Sequence, residues 1–428
     1  MSCKIGTKKT LIIIFLVSLL IRLSFGIYFL NTTGTSKFSD DWEYIDFAKN
    51  ILQKGIFSPY EASPVGPGFP LILAFVFMIF GESVLPVIVL NALVSSIICI
   101  MIFYIGREIF NEKVGMLASL WSIFYVLFIK YTPHILKENW LAFLFPLVIF
   151  LYLKETRREK ISFFYVLLLA FVFNFLIHMD ERFFSFFPVL LLGFVFLDLK
   201  SWKNGLLKSA LFCLIVLVLM VPWLIRNYSV YNKIVILSER TTAITDRILG
   251  NRSESTFKTT DGRWFLSEEQ INQAMDGHSI KRADGKNIDY DQLDAMKDGI
   301  LPHPFSTWEL YWSSFQILWK PIDINRGYST TGYRYDGKWS LKHNLSVGLT
   351  YGLLIPFFLS GLIFLFRYQR KIAVFLISIF VYYTLIHMLF IPFTRNRYRI
   401  PLDAFIIVIA FYGLHKLFLI LKNRINKT

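Results

Sequence analysis

Asp40 and Asp41 stand side by side after the first apolar run, in the stretch Ser39-Asp-Asp-Trp-Glu-Tyr-Ile-Asp-Phe-Ala-Lys-Asn-Ile-Leu. A carboxylate just outside a membrane span, at a helix start that favours its ionised form, can accept a proton from a hydroxyl. The same residues also suit a plain helix start, because Asp40 as N-cap with Glu43 three residues on makes a capping box that stabilises by about 1 kcal/mol. The two roles are compatible. Ile45, Ala48 and Leu52 recur at helical spacing, so an amphipathic helix is expected to begin at the acidic pair. Neighbouring side chains on a helix point about 100° apart, so at most one of the two acids enters a given site. Asp40 is assigned that role.

Three further connectors hold ionisable residues against the membrane: Lys130 to Glu138, with His134 and Lys137; His178-Met-Asp-Glu-Arg182; and Arg395-Asn-Arg-Tyr-Arg399. Charge at such depth is expensive and marks function or pairing. The arginines of the last connector oppose the positive-inside bias. A phosphate held by bidentate contacts accounts for them, and so does pairing with lipid headgroups or with Asp403. Asp180 to Arg182 with His178 also reads as an interfacial salt-bridge cluster. Arg22, Asn91, His387 and His415, alone in apolar runs, read as satisfied packing or snorkelling residues. Pro64-Val-Gly-Pro-Gly-Phe-Pro enforces a rigid turn that either shapes a cavity floor or steers the chain back into the membrane.

The elements that position these residues are membrane spans. Hydrophobic residues make up 55% of the 428 positions and charged ones 18%, outside the range of a soluble domain. Apolar runs of bilayer-crossing length, roughly 20 residues, recur at Leu11–Leu30, Val84–Ile105, Val114–Ile129, Trp140–Leu153, Ile161–Ile177, Phe183–Leu197, Leu206–Ile225, Leu345–Phe366, Ile372–Ile391 and Ile400–Leu421. About ten crossings are expected. The formal net charge of +15 does not point to nucleic acid, because the basic residues gather in every second connector. That alternation places both termini in the cytoplasm. It also makes Phe69–Phe80, too short to span, a re-entrant or interfacial helix. The first run carries no small-residue cleavage site and reads as a retained anchor. Cys3, Cys99 and Cys213 have no ligand or disulfide spacing.

Two outer segments exceed simple connectors, Asn31–Gly68 and Asn227–Asn344, and function concentrates in such loops. The organisation is therefore an N-terminal transmembrane catalytic module, 1–225, with its first outer loop, 31–68; a large outer loop, 226–344, mostly helical, with helices expected at Ser267–Met275 and Tyr290–Lys297; and C-terminal transmembrane helices, 345–428. The aromatics from Phe305 to Trp319 fall on one side of a helix, as in interfacial helices. No repeat relates the two halves.

The order of these features resembles the bacterial branch of the GT-C glycosyltransferases. It is similar to dolichyl-phosphate-mannose protein mannosyltransferases (glycosyltransferase family 39) and to lipid A aminoarabinose transferases. The matching pieces are Asp40-Asp41-x-x-Tyr44-x-x-x-Ala48, Gly66-Pro-Gly-Phe-Pro-Leu-Ile-Leu-Ala74 before Gly81, Lys137-Glu138, Arg182 followed by Pro188, Pro222-Trp-Leu-Ile-Arg-Asn227, and Arg397-Tyr-Arg-Ile-Pro401. Residues 241–300 match nothing in the pattern, and Asp41 stands where these families usually have Glu.

The resemblance implies an all-α polytopic membrane protein with a GT-C fold. It implies transfer, with inversion, of a sugar from a polyprenyl-phosphate donor to a glycan, lipid or protein hydroxyl on the extracytoplasmic side of a bacterial plasma membrane. Asp40 would be the base and Asp41 its acidic neighbour. Lys137, Arg182, Arg226, Arg397 and Arg399 would bind the donor phosphate, with Tyr44 and Glu138 in support. No cofactor is required, and a divalent metal is left open. A glycosidase needs two carboxylates about 5–9.5 Å apart across one bond, which the adjacent acids do not provide. The rival from another class is a transporter or flippase for an anionic lipid-linked substrate, which would concentrate its charges at mid-membrane. A membrane scaffold would leave the acids and arginines without a role.

Overall fold

The computed structural model describes residues 5–33, 41–57, 65–198, 201–232, 234–238, 308–321, 326–328, 334–336, 341–389 and 396–426. These residues are almost entirely helical. The helices are α1 (Ile5–Thr33), α2 (Asp41–Lys54), α3 (Gly68–Phe80), α4 (Val84–Ile109), α5 (Glu112–Ser122), α6 (Val126–Lys130), α7 (Glu138–Thr156), α8 (Phe163–Met179), α9 (Phe187–Leu197) and α10 (Trp202–Tyr231). They continue with α11 (Trp308–Trp319), α12 (Leu341–Thr350), α13 (Ile355–Tyr368), α14 (Arg370–Leu389) and α15 (Ile400–Ile425). Short 3-10 turns precede α9 (Glu181–Phe186), α13 (Gly352–Leu354) and α15 (Asn396–Arg399).

Of the ten apolar runs, seven are helices long and apolar enough to cross a bilayer: α1, α4, α7, α10, the joined α12 and α13, α14, and α15. The other three are built from shorter pieces. Val114–Ile129 breaks into α5 and α6, Ile161–Ile177 becomes the 17-residue α8, and Phe183–Leu197 begins as a 3-10 turn. The break after α5 has a physical support in Arg22, whose side chain is fully buried. Its Nη2 donates to Ser122 O at 3.2 Å, its Nη1 to Ile123 O at 3.2 Å and to Ser18 O, and its Nε to Ser95 Oγ. A guanidinium thus occupies the carbonyl-rich C-terminus of α5, where helix-end carbonyls and the macrodipole both favour a cation.

Ionic ties of the same kind hold the end rich in lysine and arginine. Lys208 Nζ pairs with Asp198 at 2.8 Å and donates to Glu155 O and Arg158 O at the end of α7. At the opposite end, α11 realises the expected aromatic helix. Ser267–Met275 and Tyr290–Lys297 lie outside the described residues, as does Asp40. The segment between α11 and α12 also contains a short antiparallel ladder of Arg326–Tyr328 with Arg334–Asp336.

The interior packing gathers α4, α7, α8 and α15 around one hydrophobic core, with α10 on α8 and α9, α13 on α15, and α11 on α14. The re-entrant expectation for Phe69–Phe80 corresponds to α3, 13 residues long, packed on α2 and α8. Its approach to α8 depends on glycine. A Cβ on Gly66 would lie 2.3 Å from His178 O, and one on Gly68 would lie 2.7 Å from Met179 N. Alanine at either position is therefore expected to push α3 away from the end of α8, costing about 1–3 kcal/mol. Thermal unfolding of the purified protein in detergent checks this as a midpoint lowered by several degrees.

Candidate functional site

Helix α2 is the element that carries the acidic pair's described member. Asp41 and Glu43 lie in its first turn and Lys54 in its last, an arrangement that complements the macrodipole. Its buried face overlaps the expected stripe of Ile45, Ala48 and Leu52 only in part: Ala48 is buried and Ile45 packs partly buried against the core. The buried residues are Asp41, Glu43, Tyr44, Phe47 and Ala48, whereas Leu52 is 44% exposed. Asp41 and Tyr44, three apart, share that face. The Tyr44 ring meets Phe69 of α3 edge-on at 5.1 Å, and the Lys137 ammonium lies 6.0 Å from its centroid. The helix that begins at the acidic pair is in this way fitted against a cationic residue far along the chain.

Lys137 precedes α7, and Glu138 is its first residue. Each starts an ion pair to a different element. Lys137 Nζ lies 3.1 Å from Asp180 Oδ2, and Glu138 Oε1 lies 3.2 Å from Arg397 Nε. Because the two residues are neighbours, the pairs are side by side at the helix start. Asp180 caps the 3-10 turn after α8 by accepting from Arg182 N at 3.1 Å, and its carboxylate also accepts from Arg182 Nε at 2.8 Å. Lys137, Asp180 and Arg182 therefore form a chain of cation, anion and cation, all poorly exposed. Burial would raise the Asp180 carboxyl, but the Arg182 and Lys137 charges and hydrogen bonds outweigh it and hold the group well below the usual carboxylate range.

Arg182 is engaged on its other sides as well. Its guanidinium lies 4.1 Å from the Tyr398 ring centroid, and Nη1 is 3.0 Å from His387 Nε2. His387 is a contact that sequence reasoning missed, since a lone histidine in an apolar run carries no signal of a partner in another element. Its own helix supplies a local bond, Nδ1 to Tyr383 O at 2.7 Å. The turn Asn396–Arg399 thus presents Arg397 to Glu138 and Tyr398 to Arg182. Arg399 takes a different route, pairing with Asp403 at 2.9 Å, donating to Leu318 O at the end of α11 and covering the Tyr351 ring at 3.3 Å.

Arg226 is buried on α10 beside Asn227, whose Oδ1 it bonds at 3.0 Å, and over Trp223, 4.9 Å from the ring. Trp223 in turn meets His178 edge-on at 5.8 Å, which ties Arg226 to the end of α8. The structure thus joins Lys137, Glu138, Asp180, Arg182, Arg397, Tyr398 and His387 through direct contacts. Asp41 lies on the buried face of α2 with Tyr44, Arg226 stands at the neighbouring helix end, and Arg399 holds α11.

His134 lies in the same connector as Lys137, with Asn91 Nδ2 donating to its carbonyl at 2.9 Å. Burial, together with the Lys130 and Arg397 charges, pushes its imidazole down to about 3. An unfolded His titrates near 6.5, so the folded state binds fewer protons below that value. The stability this provides is present above pH 6.5 and lost as pH falls toward 3. Acidification from pH 7.5 to 5.0 is expected to lower stability by roughly 1–2 kcal/mol through this group. Thermal midpoints of wild type and His134→Gln at both pH values check it, with the variant losing less. Among the described residues, no group of three or more His, Cys, Asp or Glu is placed to hold a metal ion.

Residues 63–225, under half of the chain, match the family model described as dolichyl-phosphate-mannose-protein mannosyltransferase. This stretch runs from the glycine turn into α10, ending before Arg226, and contains Lys137, Glu138, Asp180 and Arg182. No curated protein matches the chain in sequence. The fold is similar to that of the Archaeoglobus fulgidus oligosaccharyltransferase AglB solved with an inhibitory peptide and a dolichol-phosphate, at TM-score 0.57 and 13% identity, covering 98% of this chain and 52% of that one. It is also similar to the A. fulgidus enzyme tethered by a disulfide to an acceptor peptide containing the NVT sequon, at TM-score 0.58 and 15% identity, covering 97% and 50%. The chain spans about half the length of these structures. The fold is the GT-C fold.

Proposed function

We propose that the protein transfers a sugar from a polyprenyl-phosphate donor to an acceptor hydroxyl, with inversion, on the extracytoplasmic side of a bacterial plasma membrane. The observation that carries this reading is the buried cluster in which Lys137, Arg182 and Arg397 converge on Asp180 and Glu138. Among the described residues, three cations against two carboxylates form a preorganised, poorly hydrated positive cluster, and such a site stabilises charge that develops on a departing phosphate. The matched family and the dolichol-phosphate bound to the archaeal neighbour support the choice of a lipid phosphate.

In this reaction Asp40 accepts the proton of the acceptor hydroxyl, and the oxygen bonds to the anomeric carbon from the face opposite the phosphate. The bond between that carbon and the phosphate oxygen breaks, and polyprenyl phosphate leaves with the electron pair. Lys137, Arg182 and Arg397 take up the added charge, and Glu138 orients Arg397. Asp41, buried one turn before Tyr44, seats the start of α2, directly after Asp40 in the chain. Arg226 extends the positive surface from α10. The acceptor is a glycan, lipid or protein hydroxyl.

Arg397→Ala and Arg182→Gln are expected to raise the donor KM roughly tenfold or more, since a hydrogen bond to a charged group contributes about 1.5–3 kcal/mol. Donor-saturation kinetics on purified protein measures this. An unchanged donor KM in both variants removes the phosphate assignment.

A further inference from the structure

Arg182 depends for its placement on a residue that the reaction does not otherwise use. Asp180 binds its Nε and Nη2, Tyr398 covers its face, and Nη1 points to His387 Nε2 at 3.0 Å. A guanidinium has only donors, so Nε2 must be the accepting, unprotonated nitrogen. The ring's one proton is then on Nδ1, where Tyr383 O accepts it at 2.7 Å. The backbone of α14 therefore selects the tautomer that can receive Arg182, as second-shell carbonyls do for other functional histidines. The ring is fully buried and packed between Tyr383, at 4.3 Å, and Tyr398, at 5.6 Å, so it has no freedom to turn away.

We propose that His387 is a positioning residue that fixes the Arg182 guanidinium for the phosphate of a lipid-linked donor. The inference rests on the reading of this cluster as a phosphate site. Asp180 alone pins one edge of the guanidinium and leaves rotation about that edge, whereas the His387 contact on the other terminal nitrogen, with Tyr398 on the flat face, sets the plane. A phosphate then meets a group already oriented, and the ordering cost of binding is lower.

The test measures binding of a short-chain prenyl phosphate to full-length protein in detergent, by calorimetry, with thermal unfolding run in parallel. The proteins are wild type, Arg182→Gln, His387→Phe, which fills the space without an acceptor, and His387→Gln, whose amide oxygen can accept from Arg182. The expected result is weaker binding in Arg182→Gln, a roughly tenfold to hundredfold loss in His387→Phe, and recovery of most of it in His387→Gln. If Arg182→Gln weakens binding and His387→Phe does not, the positioning role is overturned while the phosphate reading stands. If His387→Gln and His387→Phe lose affinity and thermal midpoint alike, the residue is structural and the proposal fails. If Arg182→Gln binds as wild type does, the phosphate reading fails and takes the inference with it.

Discussion

Asp40→Asn is expected to reduce sugar transfer by about two to four orders of magnitude, the contribution typical of a positioned general base, while leaving prenyl phosphate affinity within a factor of a few. The amide has nearly the shape of the carboxylate and keeps the ability to cap a helix, so α2 should stay seated through Tyr44 and Phe47. What it loses is the capacity to take a proton. Asp41→Asn provides the contrast. Asp41 is buried on the Tyr44 face, so its substitution is expected to disturb the seating of α2 and to lower the thermal midpoint along with activity. Steady-state kinetics and unfolding of the two variants separate these outcomes. Full activity in Asp40→Asn would remove the residue as the base.

Asp180→Ala is the second large effect, and it acts through electrostatics rather than chemistry. The Asp180 carboxylate stands between Lys137 and Arg182, and deleting it leaves two cations close together away from water. Breaking a buried pair by removing one partner costs about 3–5 kcal/mol, a large share of the stability of a typical domain. The variant is expected to unfold many degrees below wild type, or to accumulate poorly, and to lose donor binding because neither cation keeps its orientation. Adding Lys137→Met to Asp180→Ala should restore part of the stability without restoring activity, since the repulsion is relieved while a phosphate contact is gone. A stable Asp180→Ala protein, with an unfolding midpoint near that of wild type, would show that this carboxylate is not the keystone of the cluster.

Much of this site was legible in the sequence as separate pieces. Lys137, Glu138, Asp180, Arg182, Arg397 and Arg399 announce themselves because charge at the ends of apolar runs is costly. Their pairing was not legible, since Glu138 meets Arg397 and Lys137 meets Asp180 only after distant helices pack. Arg399 also has a local partner. Asp403, one turn further on α15, offers an ion pair within reach, and Arg399 makes it while donating to the Leu318 carbonyl at the end of α11.

The buried face of α2 was legible only in part. Apolar spacing points to Ile45, Ala48 and Leu52; Ala48 is buried and Ile45 partly so, but the buried face also includes Asp41 and Glu43, and buried acids cannot be found by searching for hydrophobic residues. The count of crossings followed the same logic. Hydropathy marks ten apolar runs, yet the break between α5 and α6 depends on Arg22 from another helix, a contact that no window along the chain contains. The glycines at 66 and 68 read in the sequence as turn formers. Their further requirement, room for the α8 backbone, is a property of packing.

The most direct measurement incubates the purified full-length protein with polyprenyl-phosphate sugars labelled on the sugar, and follows release of the label onto an acceptor or water together with formation of polyprenyl phosphate. Time-dependent release of both products from at least one donor by the wild type, lost in Asp40→Asn, is the predicted result. Retention of intact donor by wild type across all sugars and acceptors, with movement of the labelled lipid between leaflets of a vesicle in its place, would contradict the account and establish a translocating protein.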